Sequence, residues 1–243
     1  MEGKILVKAI ISYDGSKFYG LQIQPNVKTV IGEIDKALKK IKIDTKIITS
    51  GRTDKGVHAL NQVISFEIPD FWKSERLKDL LNKILLPEIY FKKIIQTKED
   101  FNPRFNAKKR SYRYIISPVT NPFIENYVTH YNKEINLQLL NKSLEILKGR
   151  HDFEYFSKNG SDVNSHIREI FDAYAFKYKD KTIIKIIGNS FLRGQIRIIM
   201  DFLFKINEGV LTIEELKAQI DKKKLINKHL AKPNGLYLER IWY

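Results

Sequence analysis

The chain of 243 residues carries 43 Lys and Arg against 28 Asp and Glu, which gives a net charge of +15. This excess favours a polyanionic partner, most often nucleic acid, although a Lys-rich composition that only keeps a protein in solution is the alternative. Because the chain has no cysteine and its five histidines lack metal-ligand spacing, thiolate nucleophiles, disulfides and Cys-ligated zinc are excluded and no metal is expected.

The amino-terminal residues do not have the pattern of a signal peptide. Glu2 precedes the apolar run, Lys8 interrupts it, and no small-residue cleavage site follows. No run of about 18 apolar residues occurs in the sequence, so we expect no membrane-spanning helix. The sequence therefore predicts a cytoplasmic protein with no membrane association.

The first hundred residues alternate strand-like and helix-like patterns. β-branched runs predict the strands, and apolar residues spaced three or four apart predict the helices. The predicted elements are a strand at 4–13, a helix at 30–41, strands at 46–50 and 63–68, a helix capped by Ser74 and closed by Pro87, and a strand at 89–97. Their order is that of the ferredoxin-like βαββαβ arrangement.

After a break at 98–107, the second half repeats this order with one extra helix. The predicted elements are a strand at 109–117, a helix at 137–147, a loop at 149–166, strands at 168–178 and 182–188, a helix at 191–206, a helix with a Thr212–Glu215 capping box, and a strand at 235–243. We therefore predict an α+β fold of two ferredoxin-like (βαββαβ) subdomains, residues 1–100 and 101–243. Their largely antiparallel sheets are expected to flank a central active-site cleft.

A polar stretch, "SGRTDKGVHALNQV" at 50–63, separates the second and third predicted strands. Gly51 and Gly56 have the spacing of a phosphate-binding P-loop, but the Lys and Ser or Thr that should follow are missing. Asp54 is the carboxylate of this loop. An Asp in a glycine-bounded turn is often purely structural, so the pattern leaves a structural turn and a catalytic carboxylate both open.

Further stretches carry recognisable motifs: "YDGSKFYGLQIQPNVKTV", "DFNPRFNAKKRSYRY", "SFLRGQIR" and "GLYLERIWY". Together with the polar loop they resemble, in order, the motifs of the tRNA pseudouridine synthases of the A type, the TruA family. The family's loop reads A-G-R-T-D-x-G-V-H-A-x-x-Q-V, with Ser50 here for the leading Ala, and Leu21 stands where Trp is usual. The resemblance covers essentially the whole chain and implies an isomerase that converts uridine to pseudouridine in tRNA.

The aspartate of this motif is the family's nucleophile, so the resemblance assigns that role to Asp54. Pseudouridine formation breaks the C1′–N1 glycosidic bond, rotates the uracil and joins C5 to C1′. Attack of the carboxylate on C1′, addition at uracil C6 and a glycal route all remain open. Because none of these routes needs a redox change or a group donor, no cofactor is expected.

Two more site residues follow from the resemblance. Arg197, the last residue of "SFLRGQIR", is expected to pair with the catalytic carboxylate and keep it charged; the alternative is an Arg197 on the solvent face of its helix. Tyr112 follows Arg110 by two residues, where the family has its substrate-contacting tyrosine, and it is expected to stack on a flipped-out uracil. The alternative is an ordinary strand with Tyr112 and Tyr114 both in the core.

RNA contacts are expected from basic and aromatic residues near the motifs. By motif position they are Arg52, Lys55, His58, Arg104, Phe105, Lys108, Lys109, Arg110 and Arg168. The charged ones could instead be solvated surface groups. Bacterial members of the family modify tRNA positions 38, 39 and 40 in the anticodon stem-loop and form homodimers, so the resemblance implies tRNA and a second copy of the chain as partners.

Other functions remain open on the sequence. One is a non-catalytic tRNA-binding module on the same scaffold, against which the intact "GRTDKGVH" argues. Another is a small-molecule enzyme that is basic by accident. A pseudouridine synthase that acts at other tRNA positions is the third.

Overall fold

The computed structural model of the chain describes residues 3–158, 160 and 164–243, and within them it has ten strands and five α-helices. These residues divide into two compact units. One contains the chain up to Lys108 together with Tyr237–Tyr243, and the other runs from Lys109 to Leu236. The α+β class and the largely antiparallel strand pairing expected from the sequence are confirmed.

The first unit has the βαββαβ order. Its elements are β1 (Lys4–Tyr13), α1 (Val30–Lys40), β2 (Ile48–Thr49), β3 (His58–Pro69), α2 (Ser74–Leu85) and β4 (Ile89–Gln96). The strands pair in the order β4–β1–β3–β2, and each neighbouring pair is antiparallel. The polar loop at 50–57 is therefore the connection from β2 to β3.

The two helices of the first unit form as their apolar spacing predicts. α1 is capped by Thr29, whose hydroxyl accepts a hydrogen bond from the Gly32 N–H at 3.2 Å. α2 begins at Ser74 itself, and Lys73 rather than Ser74 occupies the N-cap position. Each helix buries one apolar face, represented by Ile34 in α1 and Leu81 in α2. The core of the unit includes these two faces.

The strands of the second unit are also largely antiparallel. Its elements are β5 (Lys109–Ser117), β6 (Thr129–His130), α3 (Leu137–Glu145), β7 (Gly149–Asp152), β8 (Ile167–Tyr178), β9 (Lys181–Gly188), α4 (Gln195–Asn207) and α5 (Ile213–Ile220). The strand order is β5–β9–β8–β7, and β6 pairs in parallel with β5. The predicted loop at 149–166 thus contains one unpredicted strand, β7.

The last strand, β10 (Leu236–Trp242), differs from its predicted place. The sequence assigns it to the second subdomain, but from Tyr237 onward it belongs to the first unit, where Tyr237 is the parallel partner of His58. The two rings stack with centroids 4.6 Å apart, and the Asn61 amide donates to the Glu239 carbonyl at 2.7 Å. These contacts join the start of β3 to a segment from the far end of the sequence.

Two helices of the second unit, α4 and α5, begin where residues at their amino ends determine the start. α4 begins at Gln195 instead of residue 191, because Gly194 before it has φ +76°, outside the helical region. The predicted capping box of α5 is confirmed: Thr212 accepts from the Glu215 N–H at 3.1 Å, and the Glu215 carboxylate accepts from the Thr212 N–H at 2.8 Å. Across the described ranges, none of the helices has the length and apolar character needed to cross a membrane.

Candidate active site

Asp54 lies half-buried in the β2–β3 loop and opens a tight turn. The Val57 N–H donates to the Asp54 carbonyl at 3.1 Å, which closes a four-residue turn over Asp54, Lys55, Gly56 and Val57. Gly56 at the third position has φ +79°, the conformation that a type II turn requires there and that glycine adopts without strain. The glycine after Asp54 therefore fixes the backbone that carries the carboxylate.

The entrance of the loop is fastened by Gln62, a fully buried residue of β3. Its side-chain oxygen accepts from the Ser50 hydroxyl and from the Val63 N–H, the latter at 3.0 Å. Its side-chain nitrogen donates to the Gly51 carbonyl at 3.2 Å. One amide thus satisfies polar groups on both sides of the loop entrance, where buried polar atoms would otherwise be costly.

The middle of the loop rests on the segment that follows β1. The hydroxyls of Tyr13 and Thr53 lie 2.7 Å apart and share a hydrogen bond, and the Leu21 N–H donates to the Thr53 carbonyl at 3.2 Å. Gly20 has φ +104°, and a Cβ there would lie 2.9 Å from the Thr53 carbonyl oxygen. The "YDGSKFYGLQ" motif therefore supplies the backing against which the Asp54 turn is packed.

The end of the loop is fixed by His58, which is only 2% exposed. Its Nδ1 accepts from the Gly15 N–H at 3.0 Å, so the ring proton resides on Nε2. Asp14 Oδ1 is 3.4 Å from the same nitrogen, but a nitrogen that accepts a hydrogen bond carries no proton for an ion pair. A Cβ at Gly15 would lie 2.1 Å from the Val57 carbonyl oxygen. His58 is one of the predicted RNA contacts, and the structure encloses its ring.

Two exposed cations flank the carboxylate, Arg52 before it and Lys55 after it. Within residues 3–158, 160 and 164–243, neither cation has a carboxylate oxygen within 4.0 Å. The Lys55 ammonium instead lies 3.8 Å from the centre of the Tyr19 ring. The loop thus presents positive charge to solvent on both sides of Asp54.

The segment at 98–108 presents more of the predicted RNA contacts. Asn102 Oδ1 accepts from the Arg104 and Phe105 N–H groups at 2.9 and 3.2 Å, and the Lys108 N–H donates to the Trp242 carbonyl at 2.8 Å. The backbone is therefore held while the three side chains remain exposed, with Phe105 76% exposed. An aromatic ring that accessible is available for stacking on a base.

In the second unit, Tyr112 on β5 is half-buried and meets Phe191 edge-on, with ring centroids 5.2 Å apart and planes at 87°. Tyr114, two residues on, is 1% exposed and belongs to the core. The two tyrosines thus differ, although an alternating strand places them on one face. Tyr112 keeps part of its ring accessible, as a substrate contact requires.

Arg197 on α4 is half-buried rather than on a solvent face. Its Nε donates to the Ala231 carbonyl at 2.7 Å, and the Ala231 N–H donates back to the Arg197 carbonyl at 3.0 Å. Burial raises the pKa of the neighbouring Tyr114 phenol, opposed by a hydrogen bond from Thr129 and by the Arg197 charge. The guanidinium is therefore oriented by the segment that follows α5.

The remaining basic residues of the second unit fall into two groups. Lys109 is exposed, with its ammonium 5.1 Å from the centre of the Phe171 ring. Arg110 is 8% exposed and its Nη1 donates to the Asn189 carbonyl at 2.6 Å. Arg168 is half-buried, and its Nη1 donates to two nearby main-chain carbonyls at 2.8 and 2.6 Å. Lys109 is thus the most accessible of these three cations, Arg168 is intermediate and Arg110 is enclosed.

The residues that hold the loop were not assigned roles from the sequence. They are Tyr13, Gly15, Thr53, Gln62 and Tyr237. Thr53 and Gln62 belong to the loop motif itself, whereas Tyr13, Gly15 and Tyr237 lie in other matched motifs, and only the fold brings these three to the loop. The sequence feature that could have identified them is the joint presence of "YDG", "GRTD" and "QV". In the structure these three stretches are in contact through hydrogen bonds.

The chain matches the family model described as tRNA pseudouridine synthase over residues 9–106 and 144–243, which include the Asp54 loop, α4 and β10. This match defines an isomerase of the pseudouridine synthase class. A protein of Campylobacter jejuni named tRNA pseudouridine synthase A is 44% identical over 239 residues, 98% of this chain and 99% of that protein.

Two more relatives carry the same name. The Helicobacter pylori protein is 38% identical, with 97% of this chain and 98% of that protein covered. The Wolinella succinogenes protein is 37% identical, with 96% and 92% covered. The chain belongs to the tRNA pseudouridine synthase family, and the resemblance drawn from its motifs is confirmed.

Proposed function

We propose that the chain converts uridine to pseudouridine at positions 38, 39 and 40 in the anticodon stem-loop of tRNA, with Asp54 as its nucleophile. The observation that supports this most is the β2–β3 loop. Its entrance, middle and end are each held by buried hydrogen bonds, and it carries one half-buried carboxylate between two exposed cations. A nucleophile needs such a fixed position relative to the reacting atom.

The reaction is an isomerisation whose atoms balance without a co-reactant. The C1′–N1 bond breaks, a C1′–C5 bond forms, C5 loses its proton and N1 gains one. In the C1′ route, the Asp54 carboxylate displaces the uracil and is displaced in turn when C5 bonds to C1′, as in retaining glycosidases. The C6 and glycal routes use the same carboxylate, so the assignment of Asp54 does not depend on the route.

Arg197 and Tyr112 complete the proposed catalytic group. Arg197 is the ion-pair partner of Asp54, because a guanidinium binds a carboxylate through two hydrogen bonds and stays charged when water is excluded. Tyr112 stacks on the uracil that leaves the RNA stem. Support within the second unit comes from the anchoring of Arg197 at Ala231 and of Tyr112 at Phe191, since fixed side chains can orient a substrate.

The proposed RNA contacts are Arg52, Lys55, Arg104, Phe105, Lys108 and Lys109, whose side chains are exposed. Arg168, which is half-buried, stays in the proposed interface. The enclosed His58 and Arg110 support the backbone around the contacts instead. We also propose that the chain acts as a homodimer in the cytoplasm, with one tRNA touching both copies; sedimentation velocity with and without tRNA tests this.

Tritium release from uracil-5-tritiated tRNA tests the proposal. Wild-type protein should release tritium, and transcripts with cytidine at positions 38, 39 and 40 should release none. Undiminished release from these transcripts would move the activity to other tRNA positions. Binding without release would indicate a non-catalytic module, and a tRNA affinity indifferent to salt would favour a small-molecule enzyme.

A further inference from the structure

Tyr19 is an exposed aromatic residue that its surroundings hold in place. Its side chain is 49% exposed, although the preceding Phe18 is buried at 2%. Its N–H donates to the Lys28 carbonyl at 2.9 Å, and its carbonyl accepts from the Gln24 side chain at 2.7 Å. Because both main-chain groups of Tyr19 are bonded, its ring is presented to solvent from a fixed backbone.

This ring adjoins the catalytic turn. The Lys55 ammonium lies 3.8 Å from the ring centre, and Lys55 directly follows Asp54. The backbone next to the ring also packs against the turn. A Cβ at Gly20 would lie 3.4 Å from the main-chain nitrogen of Lys55 and 3.5 Å from the carbonyl carbon of Asp54. Tyr19 and Lys55 are therefore a neighbouring ring and cation beside Asp54.

The lysine of this pair differs from the ion-paired lysines of α1. Lys36 pairs with Glu33 and Lys39 with Asp35, each at 2.8 Å. In the part of the chain that the structure describes, Lys55 has no such carboxylate and the Tyr19 hydroxyl has no hydrogen-bond partner. A half-exposed ring beside an ammonium without a counter-charge suits a nucleotide, because a base stacks on the ring and its phosphate meets the ammonium.

We propose that Tyr19 and Lys55 form a nucleotide-binding platform at the edge of the Asp54 turn. It receives one unpaired nucleotide of the RNA next to the uridine that reaches Asp54: the base stacks on Tyr19, and the phosphate is bound by Lys55. This inference rests on the proposed function and adds Tyr19 to the residues that recognise the RNA.

The test is the affinity for an unmodified tRNA transcript, measured in an Asp54→Asn background so that turnover does not disturb binding. Tyr19→Leu should weaken binding about tenfold, whereas Tyr19→Phe, which keeps the ring, should bind within about twofold of the parent. Lys55→Ala should lower the slope of log affinity against log salt by about 0.7–0.9, the effect of one phosphate contact, while Tyr19→Leu leaves the slope unchanged. Because ring and ammonium touch, the two losses should not be additive.

Tyr90→Leu is the matched control, since Tyr90 is a 43% exposed tyrosine on β4 of the same unit. Tyr19→Gln, which keeps a polar exposed side chain, should show the same loss as Tyr19→Leu and guards against a folding defect. If Tyr19→Leu and Tyr19→Gln bind like Tyr90→Leu, the platform is rejected. Tritium release by the wild type separately decides the proposed function, so the two failures can be told apart.

Discussion

Three strands of each unit pair in an equivalent order, β1–β3–β2 in the first and β5–β9–β8 in the second, but their connections are very different. In the first unit, eight residues at 50–57 join the second strand to the third and carry Asp54. In the second unit, β8 and β9 are joined by a turn of Lys179 and Asp180, with Lys179 at φ +54°. The carboxylate of this two-residue hairpin, Asp180, is exposed and pairs with the Lys181 ammonium at 2.9 Å, with no longer loop to enclose it. The comparison shows that similar strands can be joined by connections of very different length, and that the longer connection is the one that holds its carboxylate half-buried.

The units also differ in how their candidate residues are oriented. Asp54 is on a loop, which needs buried side chains such as Gln62 and His58 to hold it. Tyr112 and Arg197 are on a strand and a helix, whose own backbone hydrogen bonds set their direction. Substitutions that disturb the loop anchors should therefore reduce catalysis without touching substrate.

The largest effect is expected at Asp54, the proposed nucleophile. Asp54→Asn should lower tritium release by at least about 10³-fold and leave tRNA affinity nearly unchanged, because the amide is isosteric but cannot attack. Single-turnover release and filter binding measure the two quantities. Asp44→Asn, at an exposed carboxylate of the same unit, is the control and should retain activity. Equal activity of Asp54→Asn and wild type would reject Asp54 as the nucleophile, and with it the catalytic role of the loop at 50–57.

Gly15→Ala tests the backing of the turn. The added methyl would lie 2.1 Å from the Val57 carbonyl oxygen, a backbone atom, so the end of the Asp54 turn must move. We expect kcat to fall by about 10²-fold with a much smaller change in KM, since misplacement of a reacting group costs mainly the chemical step. Ser16→Ala, at the next residue, is the control. An unaltered kcat in Gly15→Ala would show that the loop does not depend on this contact.

A smaller effect is expected for His58→Phe, which retains a ring against Tyr237 but removes the acceptor for the Gly15 N–H. The free energy of unfolding should fall by about 1–3 kcal/mol, the cost of an unsatisfied buried donor. kcat should fall about tenfold, while the salt dependence of tRNA binding stays that of wild type. Thermal unfolding and steady-state kinetics measure these. A smaller slope of log tRNA affinity against log salt in His58→Phe would instead indicate that His58 contacts RNA.

The smallest effect concerns an ion-pair group of the second unit. Lys222 lies 2.8 Å from Asp152 and 2.7 Å from Glu154. Burial raises the pKa of Asp152, but the hydrogen bonds from Lys222 and the Glu154 N–H outweigh it and lower that pKa overall. The hydrogen bond from Lys222 also lowers the pKa of Glu154.

Carboxylates with lowered pKa values stabilise the fold above their ordinary values of 3.8 and 4.5, and this stability is lost as the pH falls through the lowered values. Lys222→Met should therefore lower Tm slightly at neutral pH, and its difference from wild type should shrink on acidification. Lys224→Met, at an exposed lysine nearby, is the control. Unchanged tritium release would confirm that this effect belongs to the second unit's stability alone; a pH-independent Tm difference would contradict the assignment.

Elements with strong local signals were predictable from the sequence. The helices of the first unit and the Thr212 capping box follow from apolar spacing and end chemistry, which act within a few residues. The Asp54 loop could be singled out because its motif is long, and the role of Asp54 as nucleophile stays a prediction. The burial of His58 could not be predicted, since a histidine in a polar stretch gives no sign that β3 begins there and encloses it. The placement of β10 depends on pairing with a distant strand, which local patterns do not encode.

The contact between Asn61 and Glu239 spans 178 positions of sequence. During synthesis, the start of β3 leaves the ribosome long before the segment that pairs with it, because chains emerge from the amino end. The packing of Tyr237 and the rest of β10 against His58 can therefore form only after nearly all of this sequence has been translated. A nascent chain can fold much of its first unit early, but the Asp54 turn acquires its full support last. If this turn is the active site as proposed, interrupted translation should leave products unable to modify RNA.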